Sequence, residues 1–153
     1  MVKQKRGHIV TIASVAGLCG VAGLSDYCAS KFGAVGLDSS VRYELIHKGV
    51  DKFVKTTCIC PYFIDTGMFD GAKPSFPLYF LKPERVADRV VAAIRQEEAL
   101  VVIPYRANLV FLAKLLPTGL QDMVGDWLGT TRAMENFKGK GSIEKRIPGI
   151  LSE

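Results

Sequence analysis

His8-Ile9-Val10-Thr11-Ile12-Ala13-Ser14 and, thirteen residues beyond Ser14, Tyr27-Cys28-Ala29-Ser30-Lys31 are the stretches from which the fold can be read. The first is short, apolar and β-branched, the pattern of a buried strand in a parallel sheet. Gly17, Gly20 and Gly23 then mark a loose loop. From about Ser25 to Lys48 the pattern is helical, with Ser25 or Asp26 available as a cap and His47, Lys48 and Gly49 forming a basic last turn and a stop. Gly33 and Gly36 each cost that helix roughly 1 kcal/mol relative to alanine. Close packing against another backbone is the expected compensation.

Beyond this helix the alternation continues. Val54–Cys60 reads as a second buried strand, stopped by Pro61. Residues 61–82 form a loop too long to be a mere connection. It carries Phe63, Met68, Phe69, Phe76, Leu78, Tyr79, Phe80 and Leu81, so a lid or binding wall is expected. Pro83 opens a second helix to about Glu98, with Val86, Val90, Val91 and Ile94 on its apolar face. A third strand, Leu100–Ile103, ends at Pro104; two apolar helix-prone pieces follow, Ala107–Leu116 and Leu120–Leu128, split by Pro117-Thr118-Gly119. This order predicts an α/β fold, a doubly wound parallel sheet of about three strands with flanking helices. The folded part is expected over residues 1–135, with a polar, Gly/Lys-rich and mobile tail over 136–153.

Composition narrows the function. The chain has 153 residues, 48% apolar and 23% charged, which excludes a disordered or collagen-like polymer. Its net charge of +5 comes from 20 Lys+Arg against 15 Asp+Glu, but the excess gathers at the two ends. Without an Arg/aromatic stripe or a zinc-finger spacing, nucleic acid is not an expected partner. The start is not a signal peptide, and no apolar run reaches the roughly 18 residues that span a bilayer. Tyr105–Leu116 has two open readings, as a cover for the sheet or as a segment in a membrane interface with Arg106 and Lys114 at the headgroups. Cys58 and Cys60 share a strand face at ~6.6 Å, near the limit for bridging, so reduced buried thiols are expected. His8 and His47 read as surface residues, and no metal-ligand spacing is present.

Tyr27 and Lys31, four apart on one helix, share a face. Five tyrosines and twelve lysines in this length give about 0.4 such pairs by chance, so the pair alone is weak. Ser14 sharpens it, because it stands at the carboxyl end of the preceding strand, the edge where open α/β sheets bind ligands. A hydroxyl, a phenol and an ammonium converging there suit alcohol/carbonyl redox chemistry. A free tyrosine titrates near pH 10, and a cation within about 4–6 Å favours the phenolate. Tyr27 is then the expected acid/base, Lys31 its tuner, and Ser14 the group holding the substrate oxygen. No side chain donates hydride, so a nicotinamide is required.

Ser14 followed by Tyr27-Cys28-Ala29-Ser30-Lys31 resembles the active-site segment of the short-chain dehydrogenase/reductase family. Ile9–Ser14 is similar to that family's fifth strand. Cys60-Pro61-Tyr62-Phe63-Ile64-Asp65-Thr66-Gly67-Met68-Phe69 resembles the cofactor-contacting turn after its sixth, with Tyr62 where glycine is usual. The wording, including Leu116-Pro117 and Met134-Glu135-Asn136-Phe137, is most similar to one branch, the epidermal-type retinol dehydrogenases and the related 17β-hydroxysteroid dehydrogenase type 11.

The resemblance implies a Rossmann-like sheet, here with only strands five to seven of seven. It implies NAD or NADP as cofactor, held by Tyr27, Lys31, Pro61, Ile64 and Thr66. It also implies a lipophilic alcohol or carbonyl (retinoid or steroid) held by Ser14, Phe69, Phe76 and Phe80. A homodimer through the Tyr27–Lys48 helix, a membrane-surface contact and residence at the endoplasmic reticulum or lipid droplet, on the cytosolic face, are further implications. The family's glycine-rich phosphate turn, its Asn-Ala-Gly turn and its catalytic asparagine have no match here, so Met1 is expected to be an internal methionine of a longer protein. The competing expectation is a non-catalytic interaction or membrane-associated fragment.

Overall fold

The structure, a computed structural model, describes residues 1–75 and 77–137. Phe76 and most of the predicted tail, 138–153, lie outside the described residues. Three strands form one parallel sheet in the order β1 (Gly7–Ile12), β2 (Val54–Pro61), β3 (Leu100–Ile103). Register runs from Gly7 opposite Val54 to Ile12 opposite Ile59, and from Cys58 opposite Leu100 to Pro61 opposite Ile103.

The crossovers α1 (Ser25–His47) and α2 (Pro83–Arg95) lie on opposite faces of the sheet. The side-chain alternation of β2 shows this. Cys58 and Cys60 pack with Ala13, Leu18, Val102 and Ala107, and with Val35 of α1. Ile59, pointing the other way, packs with Val101 and Ile103 and with Val86 and Ala93 of α2. The α/β reading of the sequence is therefore what the chain forms.

Several local expectations change. β1 was predicted buried through Ser14, but it is half-buried and ends at Ile12. Among the described residues it is an edge strand, paired with β2 on one side. Ala13 keeps one bond, its N–H to the Ile59 carbonyl at 2.8 Å, and Ser14 turns out of the sheet to cap a 3-10 turn, Val15–Gly17. Neither Ser25 nor Asp26 caps α1: Leu24 holds the cap position, and the Asp26 carboxylate accepts the N–H of Tyr27 inside the first turn. Gly33 and Gly36 meet no neighbouring backbone and stand on the outward side of α1. Gly17 is the glycine that close packing requires, since a Cβ there would sit 2.5 Å from the Lys31 carbonyl oxygen.

α2 stops at Arg95, before Glu98, because Glu97 takes a left-handed φ of 54°. Val91 faces solvent, and Ala93 takes the place expected for it in the core. His8 is not a surface residue. It is half-buried, and its Nε2 pairs at 2.7 Å with the hydroxyl of fully buried Thr57. Beyond β3 the chain forms a 3-10 turn, Tyr105–Asn108, then α3 (Leu109–Ala113) and α4 (Thr118–Trp127). Pro117 separates the last two; α4 starts at Thr118, so Thr118 and Gly119 are its first turn rather than a break.

Candidate functional site

The carboxyl ends of β1 and β2 lie side by side, with Ser14 and Lys31 held at that edge. Ser14 follows β1. Its side-chain oxygen accepts the N–H of Ala16 at 3.1 Å and donates to the carbonyl of Pro61, the last residue of β2, at 3.3 Å. Lys31, in the second turn of α1, reaches back to the same edge and donates from Nζ to the Ile12 carbonyl at 3.1 Å. The same Nζ lies 5.5 Å from the centre of the Tyr27 ring. The spacing Tyr-x-x-x-Lys thus does here what a helical period predicts: both groups leave one face of α1. Gly17 lets that face approach, because the turn after Ser14 packs directly on the Lys31 backbone.

The turn after β2 closes the other side. Ile64 bridges to Leu81 in parallel fashion, with Asp65 N–H bonding to the Leu81 carbonyl and Leu81 N–H to the Phe63 carbonyl. Thr66 follows on this turn with its side chain exposed and its N–H on the Ile64 carbonyl. Phe69 meets Tyr27 edge to face, ring centres 5.9 Å apart. Phe63 links Phe69 and Phe80 at 4.8 and 5.9 Å. A hollow of about 300 Å³ opens between Ile64, Gly67, Phe69, Ala72 and Phe80, with Asp65 and Asp70 at its edge. Residues 61–82, expected to be a lid or wall, are partly core: Phe63, Ala72 and Leu81 are buried. Phe69 and Phe80 stay half-exposed on the hollow.

Two features escaped the sequence reading. Tyr62, standing where a glycine is usual, touches all three core clusters, and its hydroxyl accepts the N–H of Ser75 at 2.7 Å. Burial pushes its phenol up from the ordinary value. It therefore pins the long loop rather than weakening the turn. Asp38 is buried on the sheet side of α1, with one carboxylate oxygen accepting from the Thr11 hydroxyl at 2.7 Å. A hydrophobic pattern gives no signal for a buried carboxylate. Beside it, the Cys58 and Cys60 sulfurs are 4.0 Å apart and unbridged. The hydrogen bond to Cys60 and burial both push the Cys58 thiol up, which keeps it protonated and inert.

The sequence profile of the short chain dehydrogenase family matches residues 1–75. Over that stretch, just under half of the chain, the sequence is similar to this family of oxidoreductases. The similarity to individual proteins runs further along the chain. Epidermal retinol dehydrogenase 2 of Mus musculus is 41% identical over 143 residues, 92% of this chain and 46% of its own length. Retinol dehydrogenase 10-B of Danio rerio is 39% identical over 145 residues, 90% of this chain and 42% of its own length. The chain thus spans about half the length of the curated relatives it matches.

Among solved structures, a short chain dehydrogenase from Burkholderia cenocepacia J2315, in complex with NADP, superimposes with a TM-score of 0.63 at 20% identity. It covers 83% of this chain and 49% of that one. The Sphingobium yanoikuyae short-chain dehydrogenase in complex with NADPH gives 0.59 at 21%, covering 82% and 47%. At such identities these two establish the fold alone, and it is the one the strand order describes.

Proposed function

We propose that this chain carries the catalytic half of an NAD- or NADP-dependent oxidoreductase that interconverts a lipophilic alcohol and its carbonyl, of the retinol/retinal or hydroxysteroid/ketosteroid kind. One observation carries the reading. The Lys31 ammonium stands 5.5 Å from the Tyr27 ring while bonded to Ile12, two residues before Ser14, at the carboxyl edge of the sheet. The site suits the nicotinamide end of a dinucleotide. An ammonium has three protons to donate, and one of those on Lys31 serves Ile12. The exposed Thr66 hydroxyl adds a donor on the turn after β2.

Bound there, the nicotinamide supplies or accepts the hydride. The chain's own residues handle the proton and the position. Tyr27 removes the proton from the substrate alcohol or returns it to the carbonyl, and Lys31 holds a ribose hydroxyl beside the phenol. Ser14 has one proton to donate, and turning its hydroxyl from the Pro61 carbonyl would bring that proton to the oxygen on which charge develops. Pro61, Ile64 and Thr66 shape the turn against the carboxamide, and Phe69 and Phe80 present an apolar surface to the substrate. The retinol dehydrogenases among its relatives support the substrate class, and a lipophilic substrate favours residence at the endoplasmic reticulum or a lipid droplet.

The test is binding of NADH and NADPH, followed by nicotinamide fluorescence, then turnover with retinal or a ketosteroid. Tyr27→Phe is expected to lower turnover about 10²–10⁴-fold with the far-UV spectrum unchanged. An undiminished rate sinks the assignment.

A second reading has its own support. Phe32, Leu37, Tyr43 and Ile46 are exposed on the outward side of α1, beside the open Gly33 and Gly36. That side suits a homodimer, and dimerisation without cofactor binding would favour a non-catalytic interaction module.

A further inference from the structure

We propose that Tyr62 is a positioning residue for the lipophilic substrate, its hydroxyl holding closed the arch of chain that presents Phe69. The proposal rests on the redox reading above and deepens it at the same site. The Tyr62 N–H donates to the Ile103 carbonyl at 2.7 Å, so its backbone is fixed to β3. Its hydroxyl accepts the N–H of Ser75, thirteen residues further along, at 2.7 Å. Every residue that lines the hollow, except Phe80, lies between those two ends. Thr66, assigned above to the cofactor, lies there too.

The crown of this arch has little packing to hold it. Asp65, Thr66, Gly67, Met68 and Asp70 are exposed. Gly67 and Gly71 take φ of 75° and 82°, a region glycine enters without strain, and they flank Met68-Phe69-Asp70. The shape of the arch is therefore set at its feet. The outgoing limb is fastened where Ile64 bridges to Leu81. The return limb is fastened by burial of Ala72, by the Lys73 N–H on the Ala133 carbonyl at 2.8 Å, and by Ser75 on Tyr62. Of these, the Ser75 bond ties the return limb directly to the residue that follows β2.

The ring and the hydroxyl of Tyr62 have separable roles. The ring touches all three core clusters and lies 4.7 Å from the Phe63 ring, which in turn backs Phe69 at 4.8 Å. A phenylalanine would supply that packing. The hydroxyl loses water to sit there, and its bond to Ser75 offsets that cost. Packing alone therefore does not call for a tyrosine, whereas holding Ser75 does. Phe69 is where the consequence falls, because it lines the hollow and meets the Tyr27 ring edge to face at 5.9 Å. A loosened arch withdraws Phe69 while Tyr27 stays on α1. Substrate affinity then falls and the proton step does not.

Tyr62→Phe removes the hydroxyl and keeps the ring. In the full chain, amide hydrogen exchange across residues 64–75 is expected to quicken about three- to tenfold, with the far-UV spectrum unchanged. All-trans-retinol, followed by its own emission, is expected to bind about three- to tenfold more weakly, and KM for retinal to rise by the same factor at constant kcat. In a Phe69→Ala background the same change should add little, since it acts through that ring. Unchanged exchange overturns the proposal. Faster exchange with unchanged retinol affinity also overturns it and confines Tyr62 to loop stability. A fall in kcat at constant KM overturns it in favour of the chemical step. A wild-type chain that binds neither retinol nor a nicotinamide dinucleotide sinks the redox reading and this role with it. Retinol bound equally by wild type and Tyr62→Phe removes this role alone.

Discussion

Ser14 shows how one side chain can serve structure and site together. Its oxygen caps the 3-10 turn and ties the end of β1 to the end of β2. Ser14→Ala is therefore expected to cost roughly 0.5–2 kcal/mol of stability, read as a lower midpoint in urea. If Ser14 also holds the reacting oxygen, turnover falls by about 10²–10³ beyond that. Loss of stability with turnover intact would confine it to a cap. Tyr27 and Lys31 were legible as a pair because their spacing is local to one helix. The partner of each was less so: the Ile12 carbonyl and the Phe69 ring come from elements up to 42 residues from Tyr27 in sequence, and no local pattern announces them.

Among the elements, α1 separates two glycine roles that look alike in sequence. Gly33→Ala adds a methyl in open space within a helix and should stabilise by about 0.5–1 kcal/mol. Gly17→Ala drives a Cβ to 2.5 Å from the Lys31 oxygen and should destabilise by about 1–3 kcal/mol, since backbone must move. Thermal melts of both variants decide this, and equal effects would refute the close approach.

α2 is fastened to the start of β3 by Arg89, which donates to both oxygens of Glu98 at 2.7 Å. The pair is about one-third exposed, so Glu98→Gln should cost only about 0.5–1 kcal/mol at neutral pH. Arg89 holds the Glu98 carboxyl below its ordinary 4.5, so the contribution is present above that value and is lost as pH falls through the lowered one. Urea midpoints of wild type and Glu98→Gln should thus converge in acid. A gap that persists in acid strong enough to protonate Glu98 in the folded state would mean the pair stabilises by shape alone.

At the scale of the whole molecule, the described sheet has two edges, β1 and β3, and Ile12 at the end of β1 is 55% exposed. An apolar edge strand is a template for another chain. Ile12→Lys should therefore lower light scattering by concentrated protein without lowering the unfolding midpoint. Scattering that stays the same would show that association arises elsewhere, with the α3–α4 surface the next surface to test.

Sequence alone was enough for the order of strands and helices and for the pairing of Tyr27 with Lys31 on one face of α1. These follow from periods of two and 3.6 residues. Only tertiary structure decided which faces are covered. It buried Asp38 against Thr11, drew Phe63, Ala72 and Leu81 into the core, gave close packing to Gly17 instead of Gly33, and turned the leucines of α3 outward. Backbone periodicity is a property of neighbours in the chain, whereas burial depends on what distant segments bring against a face.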